Sequence, residues 1–335
     1  MVKIYKDLTT MSSYFKAKNI LITGGCGFVG SHLAEELIKL RAHVVIIDQV
    51  INPFSYFTLR GLHKKILLIQ DDVGNFERLF DIATKFNIEY IFHLAAQSIV
   101  ETAYYNPKQT LYSNIVGTIN VLETARQYPK IKAVVIASSD KAYGKLNKKS
   151  YFETDPLAGD HPYEVSKSCA DLISNSYYQT YKVPVAITRF ANIYGEGDLN
   201  FSRIIPCIMK AIITENNNLE IRSNGKFIRE YVYIKDVVNG YLLLAKYIQK
   251  VKGQAFNFGS KQVLSVFDII KIIEEALKLK INYKILNKTK NEIPYQALNF
   301  DKVKERVNWK PKYILASTLK DIFHWYTNYY EMQSL

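Results

Sequence analysis

The chain has 335 residues, of which 48% are apolar, enough for a substantial core in one large or two closely packed domains. Its formal charge of +13 favours anionic partners, but Lys and Arg are scattered among Asp and Glu, so a nucleic-acid-binding role is not expected. Three isolated cysteines (Cys26, Cys169 and Cys207) and six histidines without metal-ligand spacing argue against a disulfide framework or a zinc site, and no metal is expected.

Met1 to Lys18 mixes Lys, Asp and Ser without a continuous apolar run and does not resemble a signal peptide. No stretch approaches the ~18 consecutive apolar residues of a membrane span. A reducing cytoplasm is the expected setting.

Asn19 to Thr23 reads as a short buried strand, Gly24 to Gly30 as a turn, and Phe28 to Leu40 as an amphipathic helix with Leu33, Leu37 and Leu40 inward. His43 to Asp48 is the next strand. Gly24, Gly27 and Gly30 form Gly-x-x-Gly-x-x-Gly between that first strand and helix, where missing side chains let the backbone, with Phe28 and Val29, approach a pyrophosphate at the positive helix end. An acidic residue ending the following strand completes a dinucleotide site. Asp48 is that residue: its carboxylate accepts from both ribose hydroxyls and repels a 2′-phosphate, so NAD is expected over NADP. Neither Arg41 nor Arg60 stands where a phosphate-reading arginine belongs.

Further strands are expected at Ile66 to Ile69, Tyr90 to His93, Lys132 to Ala137 and Val185 to Thr188, with helices around 75–87, 105–127 and 163–181. This alternation predicts an α/β fold, a Rossmann-type doubly wound parallel sheet. Asp72 and Val73 after the third strand suit the adenine, although a turn aspartate is an equal competitor. Leu94, Ala95 and Ala96 end the fourth strand with small residues that permit close cofactor approach or plain packing. Asn114 is an amide that either anchors the chain near the cofactor or faces solvent. Gln97 and Ser98 either face a substrate or start a helix.

Ser138-Ser139-Asp140-Lys141-Ala142-Tyr143-Gly144 precedes Tyr163-Glu164-Val165-Ser166-Lys167. Tyr163 and Lys167, one helical turn apart, share a face, where an ammonium favours the phenolate of a tyrosine whose ordinary pKa is about 10. Such a phenolate takes a hydroxyl proton while hydride leaves the same carbon. One base suffices for alcohol oxidation, so Asp140 and Lys141 point to an added elimination or epimerisation; the bland reading of that pair is an exposed ion pair of little energetic weight.

Beyond about Phe190 the rhythm changes. Asn192 to Asp198 reads as a loop, followed by helices near 202–214, 235–249, 264–278 and 317–330. The expected division is an NAD-binding domain at 1–190 and a smaller mixed α/β substrate domain at 191–335, interleaved around a shared cleft.

With the glycine loop, Asp48, Asp72, His93-Leu94-Ala95-Ala96, Ser139 and Tyr163-x-x-x-Lys167 in order, nearly the whole chain resembles the extended short-chain dehydrogenase/reductase family. That resemblance implies tightly held NAD, a nucleotide-diphosphate sugar substrate and a homodimer built on helices near 105–127 and 163–181. The Ser-Ser-Asp-Lys segment is similar to that of nucleotide-sugar 4,6-dehydratases. Its Asp-Lys form, with Asp155 to Tyr163 and Gly195 to Asp198, looks most like the CDP-glucose enzymes, whereas Ser139 replaces a commoner Thr and Arg229-Glu230-Tyr231-Val232 looks like the wider family. The resemblance makes Ser139, Asp140, Lys141, Tyr163 and Lys167 catalytic, with Lys141 the C5 base and Asp140 the C6 acid; the residues alone permit the reverse. It places Asn192, Arg203 and Arg229 on the diphosphate as charge-assisted donors. A 4-epimerase or C4 dehydrogenase would use the same Tyr, Lys and Ser, and a sensing protein could share the scaffold.

Overall fold

The seven short apolar segments Asn19–Thr23, His43–Asp48, Leu67–Gln70, Tyr90–His93, Ala133–Ala137, Val185–Phe190 and Gln254–Phe258 become strands of one sheet. This is seen in a computed structural model that describes residues 11–214, 218–288 and 293–334. From one edge the order is 254–258, 185–190, 133–137, 90–93, 19–23, 43–48, 67–70, with every neighbour parallel. Apolar residues fill both faces, Ile20 and Ile22 packing to one side and Leu21 to the other, as a doubly wound sheet requires. Strand order reverses between 19–23 and 90–93, the crevice where such sheets bind ligands.

The helix Phe28–Lys39 buries Leu33, Leu37 and Ala34 and ends at Leu40, as its apolar spacing predicts. The expected single helix over 105–127 is instead broken. Pro107–Leu111 starts with Pro107 in its first turn and an Asn106 side-chain cap; Tyr112–Val116 forms a π turn; Gly117–Gln127 resumes the α-helix. The π turn carries the buried Asn114 inward, and such bulges are frequent at functional sites. Pro162–Tyr181 is continuous, with Pro162 at its start and Lys182 closing it in a left-handed conformation, φ +59°.

The expected loop 192–198 contains a strand, Asn192–Tyr194, which pairs in parallel with Ile228–Tyr233. Strand pairing across nearly forty residues overrides the local Asn and Gly signals. Ile228–Tyr233 also pairs with Val263–Leu264 and Tyr295–Leu298, and the latter reaches Ser150–Tyr151. Helices Ile204–Ile213, Val266–Leu277 and Leu315–Gln333 cover this lobe, whereas Ile234–Lys246 packs against the helix Phe28–Lys39 and the seven-stranded sheet. Among the described residues no helix is long and apolar enough to cross a membrane, and no cluster of three or more His, Cys, Asp or Glu suits a metal ion.

Candidate active site

Gly24 leaves the first strand at φ +72°, and a Cβ there would meet the Ala95 backbone nitrogen at 2.6 Å. At Gly30 a Cβ would strike the Gly24 carbonyl and, at 2.7 Å, Gly25 Cα, so the helix sits as close to the loop as only glycine allows. Gly27 is exposed, and no described side chain caps the helix that follows it. The first-turn N–H groups, including those of Phe28 and Val29, are thus left for an anion at the positive helix end. Asp48 closes the loop by accepting from Cys26 N at 2.8 Å, and burial pushes its carboxyl above the usual range despite backbone N–H donors. The buried Cys26 thiol is pushed up to about 12 by its own burial and by Asp48. A glycine loop whose one side chain, Cys26, is buried, an uncapped helix and a carboxylate at the neighbouring strand end fit a dinucleotide.

Asp72 accepts from Gly74 N at 2.7 Å beside the buried Val73, whose carbonyl takes the Asn120 amide at 3.0 Å. Leu94, Ala95 and Ala96 are half-buried at the crevice. Leu94 N and Ala95 N bond back to Thr23, at its carbonyl (3.0 Å) and hydroxyl (3.3 Å).

Beneath them runs a polar chain that sequence reading missed. Thr118 commits its hydroxyl proton to the Asn114 carbonyl at 2.7 Å, so His93 Nε2, 3.1 Å from that hydroxyl, carries the ring hydrogen. His93 Nδ1 then accepts from Thr23 at 2.7 Å. Burial, helped by the Lys167 charge, lowers His93 to about 3, so the ring is neutral. Asn114 does not face solvent. Its amide accepts from Gln97 N at 2.8 Å and donates to Gln97 O at 3.1 Å and Ser166 Oγ at 2.8 Å. It ties the end of the fourth strand to the Tyr163 helix. Ser98, one residue on, is exposed.

Lys167 is buried and donates to the Ala137 carbonyl at 2.8 Å, with Nζ 5.9 Å from the Tyr163 ring centre. Burial lowers it to about 8, against a smaller opposing pull from Asp171, so at pH 7 it remains mostly ammonium. Burial also raises the Tyr163 phenol, opposed by the Arg203 charge and a hydrogen bond with Ser139. Desolvation of the Tyr163 phenol thus outweighs the pull of Arg203 and Ser139 toward the phenolate.

The turn Asp140–Tyr143 holds the second acid/base set. Ser139 caps it through Lys141 N at 3.2 Å and donates to Asp140 Oδ1 at 3.0 Å, while Lys141 Nζ lies 3.1 Å from Asp140 Oδ2. Tyr143 locks the turn: its hydroxyl donates to Asn257 Oδ1 at 2.7 Å and accepts from Arg189 at 2.7 Å, and Arg189 pairs bidentately with the buried Asp171 at 2.8 and 3.0 Å. Lys141 also reaches across the lobes to Gln296 Oε1 at 2.7 Å. No local pattern around Gln296 signals this contact.

The three residues expected on a diphosphate are spread along the second lobe. Arg203 pairs with Asp198 at 3.0 Å and acts electrostatically on Tyr163. Asn192 donates to the Glu230 carbonyl at 3.2 Å, and Arg229 donates to the carbonyls of Ile228 and Ile293 at 2.9 and 2.5 Å.

Residues 21–322 match the family model described as GDP-mannose 4,6 dehydratase. A CDP-glucose 4,6-dehydratase of Salmonella typhimurium is 30% identical over 336 residues, covering 94% of this chain and 92% of that protein. The solved dTDP-glucose 4,6-dehydratase of Bacillus anthracis, in complex with NAD, superposes with a TM-score of 0.81 at 26% identity over 93% of this chain and 97% of its own. The UDP-glucose 4-epimerase of Thermotoga maritima, solved with UDP-glucose, gives 0.83 at 27% over 92% and 99%. The chain belongs to the GDP-mannose 4,6 dehydratase family, a branch of the extended short-chain dehydrogenase/reductases that holds nucleotide-sugar 4,6-dehydratases and has nucleotide-sugar 4-epimerases among its relatives.

Proposed function

We propose that the protein is an NAD-dependent nucleotide-sugar 4,6-dehydratase that converts an NDP-hexose to an NDP-4-keto-6-deoxyhexose. The observation that carries this reading is the Asp140–Lys141 pair, held at 3.1 Å by the same turn that places Ser139 against Tyr163. An epimerase or simple dehydrogenase has work for Ser139, Tyr163 and Lys167 but none for that pair.

Tyr163 takes the proton of the sugar C4 hydroxyl, with Ser139 hydrogen-bonded to the same oxygen and the Lys167 ammonium favouring the phenolate. The glycine loop and Asp48 would hold NAD, which would supply hydride acceptance at C4 and hydride return at C6. The C4 ketone acidifies C5–H, and Lys141 takes that proton. The electron pair left at C5 expels the C6 hydroxyl, which departs as water with a proton from Asp140. Lys141 then returns its proton to C5 as C6 is reduced. Asn192, Arg203 and Arg229 hold the diphosphate, and Gln97 and Ser98 line the sugar. Residues 1–190 serve mainly the cofactor and 191–335 the nucleotide sugar.

We assign the protein to the cytoplasm as a homodimer. Leu172 and Tyr112, 60% and 50% exposed on the two helical segments that would pair, support the dimer.

The experiment is mass analysis after incubation with NAD and, separately, CDP-, dTDP-, UDP- and GDP-hexoses. Loss of one water is expected. An isomer of unchanged mass would instead establish a 4-epimerase, and loss of two hydrogens a C4 dehydrogenase.

A further inference from the structure

Gln296 is 2% exposed and sits on Tyr295–Leu298, in the lobe opposite the Ser139–Lys141 segment. Both ends of its amide are spent on the acid/base pair. Oε1 accepts from Lys141 Nζ at 2.7 Å, and Nε2 donates to the Asp140 carbonyl at 3.2 Å. Its strand is fixed on both sides: Leu298 N donates to Glu230 Oε2 at 2.8 Å, and Asn299 N to the Tyr151 carbonyl at 2.9 Å. We infer that Gln296 is a positioning residue that aims Lys141 at C5, an inference resting on the reading of Lys141 as the C5 base.

A neutral amine has two N–H groups and one lone pair. Asp140 Oδ2 at 3.1 Å and Gln296 Oε1 at 2.7 Å take both hydrogens, so the lone pair occupies the one remaining direction. Without Gln296 the amine has a single fixed contact and swings about it. The acceptor also has to be neutral. The pair already faces Glu230, Tyr151 and Tyr163, all of which interact electrostatically with Asp140. Glu230 is itself held by three backbone N–H donors, those of Ser260, Lys261 and Leu298. A further carboxylate against Nζ would favour the ammonium, which cannot act as a base, whereas an amide oxygen supplies the same geometry without charge.

The test uses full-length NAD-loaded wild-type protein, Q296E, Q296L and K141M on whichever of CDP-glucose, dTDP-glucose, UDP-glucose and GDP-mannose the protein turns over. Readouts are C4 oxidation by single-turnover absorbance, C5 exchange with deuterated solvent, and kcat and KM against pH. Q296E, isosteric with the native residue, should leave C4 oxidation and KM within about twofold and move the ascending limb of kcat up by about one pH unit, so that lost rate returns at alkaline pH. Q296L should lower kcat and C5 exchange at least about tenfold at every pH, with KM little changed. A Q296E profile and C5 exchange rate matching wild type overturn the inference, and Q296E alone decides if Q296L does not fold. K141M separates the two levels. Continued 6-deoxy product in K141M removes the base assignment itself, whereas its loss in K141M alongside an unaffected Q296E removes only the role of Gln296.

Discussion

Lys141 Nζ stands 3.1 Å from Asp140 Oδ2, with 23% of the lysine side chain but 6% of the aspartate side chain open to solvent. The pair is therefore reached mainly through the lysine. Replacing Lys141 by Met should preserve NAD binding and C4 oxidation while lowering 6-deoxy product formation about 10²–10⁴-fold, the usual worth of a general base. Single-turnover absorbance and product mass measure the two halves separately, and full turnover by the variant would sink the dehydratase mechanism.

Asp48 accepts the Cys26 amide and ends its strand beside the glycine loop. Asp48→Ala should weaken NAD about tenfold or more, the worth of one charge-assisted bond, and narrow discrimination against NADP by removing a repelling charge. Calorimetric titration with both dinucleotides checks this; an unchanged preference contradicts the ribose assignment.

Arg189 and Asp171 form a buried bidentate pair. Arg189→Met strands the aspartate in the core, a loss of about 3–5 kcal/mol, and frees Tyr143 from one of its two anchors. Replacing Asp171 by Leu as well should recover much of that loss. Urea midpoints of both variants decide, since a double variant no more stable than Arg189→Met would show that the stranded carboxylate was not the cause.

His93 and His32 are buried, mainly for that reason lowered to about 3 and about 4 from 6.5. Their folded values lie below the unfolded one, so between about pH 6.5 and 4 the unfolded chain binds more protons. Stability should accordingly fall with pH across that window, by on the order of 2 kcal/mol per histidine on going to pH ~5. Urea unfolding at both pH values should show His93→Gln losing less than wild type.

Leu172 projects 60% exposed from the Tyr163 helix. Leu172→Glu should convert the proposed dimer to monomer in size-exclusion chromatography with light scattering, with NAD binding retained. A native chain that already elutes as a monomer rules out the dimer.

The strands Asn19–Thr23, His43–Asp48 and Tyr90–His93 lie where their apolar runs indicate, because a strand covered on both faces leaves an uninterrupted hydrophobic signature. Their glycine loop is legible for the same local reason. The π turn at Asn114 is not, since its cause is a set of partners, Gln97 and Ser166, that meet only in space. Gln254–Phe258 escapes notice because Gln254 and Asn257 dilute its apolar pattern and its partner strand lies some seventy residues earlier. Gln296 is similar: an amide on a strand has no meaning until folding sets it against Lys141.

That late strand, Gln254–Phe258, completes the edge of the seven-stranded sheet beside Val185–Phe190. The chain leaves the cofactor lobe near residue 190, builds part of the second lobe, returns to finish the first, and then completes the second. A fragment stopped at 190 would present a fully buried strand as an open, sticky border, prone to pairing with its own copies. Because this late strand finishes the first lobe's sheet, heat or urea should melt the two lobes in a single transition, and during synthesis the sheet is complete only after the ribosome has passed residue 258.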